Sequence, residues 1–315
     1  MTYKKNLICL LIVIAVLVSA YAGSFIFSYD RDNEKSASHL WLDPNTAGRV
    51  NRLVINTGWD ELEFLKKNKQ WFIKHFNNEY PARSARMEDF ISVFTTRASW
   101  PVRSSSSSAH ERFGLNNGAS RITFYNDYSA LLDLLMGNDD VMGYEAYFRK
   151  AGQNEVRSGD SSIRSYLTGN VTSWYNLRLI PESEGGNVTI NNIQRLTVIN
   201  GEETQVFSRS NRRWEIISGG SVSNPDVSKI EEYVNFVLNA EGEDFIDPAA
   251  ASGMSFDHIR LILEFGNGNI IFIYISESDE SNKRYASLSS SNYFYQLPLW
   301  VSLRLLRDAQ SFESD

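Results

Sequence analysis

Four histidines (His39, His75, His110 and His258), one cysteine (Cys9) and 38 acidic residues are the groups from which a reactive centre would have to be built. A transition-metal site needs several nitrogen or sulfur ligands brought together at short helical or hairpin spacing. No two of these histidines lie four residues apart, no HExxH run occurs, and one thiol cannot make a cysteine pair. Metal binding is therefore not expected. Phosphate-cradling GxxxxGK[ST] loops and GxSxG nucleophile elbows are also missing from the sequence. The nearest approach to a nucleophile is Ser158-Gly159-Asp160-Ser161-Ser162, which reads better as a turn leading into a helix capped by Ser161 or Ser162. Asp139-Asp140 and the group Glu241, Glu243 and Asp244 could pair carboxylates for acid and base work on sugars. Both fall where loops are expected, and solvated loop charge is the simpler reading. Arg52 with Arg195, and Arg121 with Arg260, take matching strand positions, so they could form two anion sites. Aliphatic stems lying on a sheet with their heads in water explain the same pattern. No catalytic, cofactor-binding or metal-binding residue is assigned, and no cofactor is expected.

The elements that would have to position any site are written twice. Gly48 to Asn56 and Asn191 to Asn200 align with Val50/Ile193, Arg52/Arg195, Leu53/Leu196 and Ile55/Val198 at a separation of 143. Phe64/Phe207, Trp71/Trp214, Ile73/Ile216, Met87/Ile230, Phe90/Tyr233, Ile91/Val234 and Phe94/Val237 keep that separation. It then drops to 139, where Phe113-Gly114-Leu115 faces Ser252-Gly253-Met254 and Arg121-Ile122 faces Arg260-Leu261. The four extra residues of the first copy fit best in the loop carrying Ser104 to Ser108, a solvated insertion. One more single-residue slip sets Tyr147 against Tyr285.

Each copy reads as strands, one helix and more strands, an α+β unit with a mainly antiparallel sheet. Val50 to Ile55 alternates as a strand, and hairpins turn at Lys67-Asn68-Lys69 and Ser210-Asn211-Arg212. Trp71 and Trp214 then serve as packing anchors. Asn224-Pro225 supplies a cap and first-turn proline to a helix whose apolar stripe is Val227, Ile230, Tyr233, Val234, Val237 and Leu238. The first copy repeats the stripe with Met87, Phe90, Ile91 and Phe94, leaving Arg86, Glu88 and Asp89 to water. Ile259, Leu261, Leu263 and Phe265 alternate before the turn Gly266-Asn267-Gly268-Asn269. Ile270 to Ile275 is apolar on both faces, which predicts a strand covered on two sides.

The 315 residues carry a net charge of −7, with 42% hydrophobic and 22% charged residues, an ordinary globular composition. Leu7 to Phe27 contains no charge, and a helix of that length reaches roughly 30 Å, enough to span a bilayer core. Basic residues tie across its flanks. The short tail with Lys4 and Lys5 favours an inside N-terminus, since a long following domain translocates largely regardless of charge. The alternative is a signal peptide cleaved after Ala22, where Ala20-Tyr21-Ala22 precedes Gly23. Either way the bulk of the chain is expected outside the cytoplasmic membrane, periplasmic or otherwise extracytoplasmic. Cys9 lies inside the apolar run, so the exported part has no thiol and no disulfide. From residue 28 onward the net charge is −9, which disfavours nucleic-acid binding. The expected organisation is residues 1–27 as tail and transmembrane helix, 28–46 as polar tether, 47–182 as first repeat and 183–315 as second, divided at the polar stretch 181–187.

The opening strands with Arg-Leu-Val-Ile and Arg-Leu-Thr-Val-Ile, the Gln70-Trp71-Phe72-Ile73 and Arg213-Trp214-Glu215-Ile216 strands, the following helix and the Phe113-Gly114-Leu115 step resemble the bacterial family called domain of unknown function 4340. In the second copy Gly253-Met254 departs from that family's Gly-Leu step, and Asp257-His258 replaces its proline-containing approach. The resemblance implies an accessory subunit beside ABC transporters of the gliding-motility type. It carries over no catalytic residue. The reading is thus a membrane-anchored, non-enzymatic accessory or interaction module, with lipid and transporter subunits as partners. The alternative is an envelope enzyme or glycan-binding protein using a cleft between the repeats.

Overall fold

Residues 13–14, 16–19, 38–168, 170–180, 189–211, 213–218 and 225–314 are described in the computed structural model. They form a mixed α+β protein whose sheets are mainly antiparallel. Two units are separable: residues up to Lys74 with Arg83–Asn170, and His75–Ala82 with Val171–Asp315. The run Leu7 to Phe27 and the stretch 181–187 lie largely or wholly outside the described residues. Val13, Ile14 and residues 16–19 are helical, and among the described residues no helix is long and apolar enough to cross a membrane.

In the first unit, β1 (Ser38–His39) precedes a meander of β2 (Arg52–Asn56), β3 (Glu61–Lys67) and β4 (Gln70–His75). The tight β3–β4 turn works because Asn68 and Lys69 both adopt positive φ, 50° and 69°, matching the strand twist. β5 (Asn78–Pro81) clusters with the second unit. After the helix Ser84–Thr95 come β6 (Ala98–Ser99), β7 (Val102–Ser104), β8 (Ser120–Asn126), β9 (Ser129–Asp139), β10 (Glu145–Lys150) and β11 (Val156–Asp160). Hydrogen-bonded neighbours run β4-β3-β2-β8-β9-β10-β11-β7, and β1 pairs with β6. Period-2 alternation buries Leu53, Ile55, Phe64, Ile73, Ile122 and Phe124 on one face. The helix stripe Met87, Phe90 and Phe94 covers them, with the Phe94 and Phe124 rings 5.4 Å apart. Arg86 departs from its expected place in water. It is half-buried over the Tyr166 ring at 4.8 Å, because its long stem reaches along the helix to that aromatic. The end of the expected tether is also folded here. Leu42 is buried and Trp41 meets Trp100 edge to face, so these two residues supply the apolar anchor that the preceding polar stretch lacks.

The second unit contains β12 (Ile193–Asn200), β13 (Glu203–Ser210), β14 (Arg213–Ser218), the helix Val227–Leu238, β15 (Asp244–Ile246), β16 (Ile259–Phe265), β17 (Ile270–Ile275), β18 (Arg284–Leu288) and β19 (Phe294–Leu297). Its order, β14-β13-β12-β16-β17-β18-β19-β15, matches that of the first unit strand for strand. Leu196, Phe207, Leu261 and Leu263 are buried, as are Ile230, Tyr233 and Val237 of the helix; the Phe207 and Tyr233 rings lie 5.2 Å apart, and the Tyr233 hydroxyl donates to the Leu305 carbonyl at 2.6 Å. The helix is capped by Asp226, whose carboxylate accepts from the amides of Ser228 and Lys229. Pro225 instead bridges to Glu313, and Asn224 lies outside the described residues. An aspartate two positions after the expected cap wins because its carboxylate reaches the orphan first-turn amides.

Register makes the internal correspondence specific. Val102 faces Arg157 as Phe245 faces Tyr295, so the separation of 143 persists to the edge strand. The four extra residues therefore fall between Val102 and Phe113, where a short 3-10 turn, Ser107–Ala109, is found. The later slip has a cause: β9 and β10 shift register between Ala146 and Phe148. β17 differs from its sequence reading. Ile271, Ile273 and Ile275 are buried, but Ile270 is exposed and Phe272 and Tyr274 are half-exposed, stacked 6.1 Å apart. Their rings shield one another on the strand surface, so an apolar residue there needs no second covering layer. Residues His75–Ala82 and 171–180, read as part of the first repeat, cluster with the second unit because Tyr80 and Tyr175 pack on Phe245, at 4.5 Å and 4.8 Å between ring centroids.

Candidate functional site

Most residues with reactive potential are committed to local structure. Ser158 is fully buried and its hydroxyl accepts from Arg103 Nε at 2.8 Å, whereas Asp160, at the exposed end of the strand, caps the following turn through the Ser162 amide. The cap is therefore Asp160 rather than Ser161 or Ser162. Asp139 and Asp140 also diverge. Asp139 holds Arg164 at 2.6 Å, and Asp140 accepts from the amides of Tyr144 and Glu145. Two carboxylates so engaged do not face one substrate atom.

The paired arginines are cross-strand ion pairs in the first unit. Arg52 Nε lies 2.6 Å from Glu63 with its guanidinium 4.7 Å over Tyr125, and Arg121 makes a two-pronged bond to Asp133 at 2.8 Å and 2.5 Å. That bond holds the Asp133 carboxyl below the usual aspartate range. In the second unit Arg195 approaches Glu264 at 3.6 Å, while Arg260 faces Tyr274 across the ladder. Different partners at equivalent positions argue for independent surface pairing rather than two copies of one anion site.

The histidines are dispersed, with one exception. His39 packs edge to face on Trp41, and burial lowers its pKa. His110 reaches the Asn154 carbonyl, and His258 is exposed. His75 is the exception, since its Nδ1 hydrogen-bonds the Tyr175 hydroxyl within an aromatic group formed by Tyr80, Tyr175, Phe245 and Tyr293. Asp244, drawn from the acidic group Glu241, Glu243 and Asp244, joins this cluster and has its pKa raised by burial. Burial likewise pushes Tyr80 up to about 12 and raises Tyr175. These hydroxyls stay protonated at neutral pH and serve as hydrogen-bond donors, so the cluster has a packing role with its polar tips satisfied. Among the described residues no group of three or more His, Cys, Asp or Glu is placed to hold a metal ion. Sequence reading missed this assembly because 100 residues separate His75 from Tyr175.

The surface offers a different kind of candidate. The β2–β3 turn and the β9–β10 loop emerge at the same end of the first sheet, since Asn56 faces Arg121, Arg121 faces Leu135 and Asp139 faces Ala146. Trp59, Val141, Met142 and Tyr144 project there with exposures of 99%, 104%, 70% and 72%. Large apolar side chains gathered at one end in this way mark an interaction surface more often than scattered exposed residues do.

No curated protein matches the chain, and no solved structure does. One family does match, over residues 71–258, more than half of the chain and reaching from the first tryptophan strand to the approach of β16. With the twin sheet order and the Trp71 and Trp214 strands in place, the chain belongs to the family described as Domain of unknown function (DUF4340).

Proposed function

We propose that this protein is a membrane-anchored, non-enzymatic interaction module, held to the cytoplasmic membrane by Leu7 to Phe27 and working outside it alongside an ABC-type transporter. The observation that carries the reading is the apolar end of the first sheet, with Trp59, Val141, Met142 and Tyr144 unprotected from solvent. Asp60, Glu61, Asp139 and Asp140 lie beside these residues in sequence. Acidic side chains at that end oppose insertion into an anionic lipid surface, so the occupant of this reading is a membrane-protein partner. The dispersal of histidines and carboxylates into caps and ion pairs supports a binding role over a reactive one.

The test is affinity purification of the full chain at native expression in mild detergent. Recovery of transporter permease and ATPase subunits is expected, and replacing Trp59 and Tyr144 by Ser should reduce it. Recovery of the protein alone would overturn the reading. Orientation is checked separately. With Cys9 replaced by Ser and Ser105 by Cys, a membrane-impermeant maleimide should label intact spheroplasts, and labelling only after lysis would refute the outside location.

A further inference from the structure

The turn after β8 and the turn after β16 each form one wall of a recess, and the two recesses are equivalent in the internal correspondence. In the first unit the recess is about 280 Å³ and is lined by Asn51, Arg52, Lys66, Lys67, Asp127 and Tyr128. Two of its lining residues are tied to each other. Asn51 Nδ2 donates to Asp127 Oδ1 at 2.7 Å, and the Asp127 amide donates back to Asn51 Oδ1 at 2.8 Å. The second-unit recess, about 500 Å³, places Gln194 at the position of Asn51, Gly266 at that of Asp127 and Asn267 at that of Tyr128.

These replacements have a chemical direction. Gly266 removes the carboxylate, and with it the tie to the residue at the position of Asn51. Lys67 corresponds to Ser210. Lys66 corresponds to Arg209, which does not line the recess and whose guanidinium is engaged by the Asn191 carbonyl at 2.9 Å and the Asn191 Oδ1 at 2.8 Å. What remains contains no charged side chain: the amides of Asn191, Asn192, Gln194, Asn267 and Asn269 and the Ser290 hydroxyl, above an apolar floor that includes Phe265 and Ile271. Part of this set is engaged locally, since Asn192 Oδ1 closes a capping box with Thr189 and Asn267 Oδ1 accepts from the Asn269 amide. The side chains of Gln194 and Asn269 make no protein hydrogen bond among the described residues.

A carboxamide both donates and accepts, as a sugar hydroxyl does, and an apolar floor suits the C–H face of a pyranose ring. A charged ligand would find no counter-charge among the lining side chains, the Arg209 guanidinium being already engaged by Asn191, and would lose hydration without compensation. The volume lies within the roughly 300–1,000 Å³ range of small-ligand sites. We infer that the second-unit recess is a binding site for a neutral sugar, one or two rings of an uncharged glycan. The inference stands independently of any transporter partner.

Full-length protein in a detergent without a sugar headgroup, labelled with nitrogen-15, is titrated with chitotriose and separately with maltotriose. These two arms distinguish an acetamido glycan from a plain glucan. Inorganic phosphate is the anion arm. One of the sugars is expected to shift the side-chain amide signals of Gln194 and Asn269 with a dissociation constant of about 1 mM or tighter. Gly266→Asp restores the first-unit carboxylate, and its added Cβ meets nothing closer than Gln194 Nε2 at 3.4 Å, so the fold is retained. It should weaken binding by about tenfold or more. Gln194→Ala, a surface change, should weaken it as well. Absence of any shift up to about 20 mM of either sugar, unchanged affinity in both variants, or phosphate shifting the same amides would each overturn the inference.

Discussion

Gly114 and Gly253 hold equivalent places, yet their surroundings predict opposite responses to a single methyl group. Gly114 has φ of +68°, and a Cβ there would sit 2.4 Å from Asn138 Oδ1 and 2.9 Å from the Asn138 amide nitrogen. That amide is itself committed to the Phe113 carbonyl at 2.9 Å, so it cannot retreat without breaking a bond next to the buried group Phe113, Leu115 and Val156. Gly253 has no left-handed φ, and nothing lies within 4 Å of its would-be Cβ. Gly114→Ala adds a left-handed penalty of about 1–2 kcal/mol to an overpacking penalty of about 1–3 kcal/mol. A loss of about 2–5 kcal/mol follows, whereas Gly253→Ala should stay within about 0.5 kcal/mol of the parent. Hydrogen exchange read by mass spectrometry on the full chain separates the two. Protection of β8 and β9 should fall by about 30-fold or more in the first variant, with β16 and β17 unchanged in the second. Equal effects, or a larger one at Gly253, would refute the reasoning.

Two aspartates should move stability in opposite directions with pH. Asp133 is held below its ordinary range by the Arg121 bond, so its contribution is present above the unfolded aspartate value and is lost as pH falls through the depressed one. Asp133→Asn should flatten the acid side of a melting-temperature profile and cost about 0.5–1 kcal/mol at neutral pH. Asp244 is raised by burial, so the folded protein holds that proton more tightly and stability falls as pH rises through the folded value. Asp244→Asn keeps an acceptor for the Phe245 amide and should raise the neutral melting temperature; a decrease would contradict the desolvation argument. Trp71→Ala and Trp214→Ala should each cost about 3–5 kcal/mol, with loss of exchange protection concentrated in the sheet that contains the substitution.

The ladder of the fold was readable because a strand's period of two is written directly in residues such as Leu53, Ile55, Ile122 and Phe124. The pairings at 143 located the internal correspondence from the same side chains. Local competition was harder to read. Asp226 and Asp160 outcompeted the expected caps, since several polar residues in a row could each reach the first-turn amides and only backbone geometry chooses among them. Apolar content alone also misread β17, where aromatic neighbours shield each other without a second layer. The aromatic cluster around His75 joins distant parts of the chain, and no local pattern announces it. The amide recess was hidden for another reason: Asn267 and Gly268 are fully explained as turn formers, with Gly268 at φ +87°, so their types carried no surplus signal.

The placement of β7 bears on biogenesis. Although made early, this strand sits at the sheet edge beside β11, and so it waits for residues 156–160 before it has a neighbour. β12 begins only at Ile193, so every strand of the first ladder has been synthesised before any strand of the second exists. A nascent chain emerging from its N-terminal side can complete one ladder without competition from its near-copy, and vectorial delivery itself guards against strands being exchanged between look-alike partners.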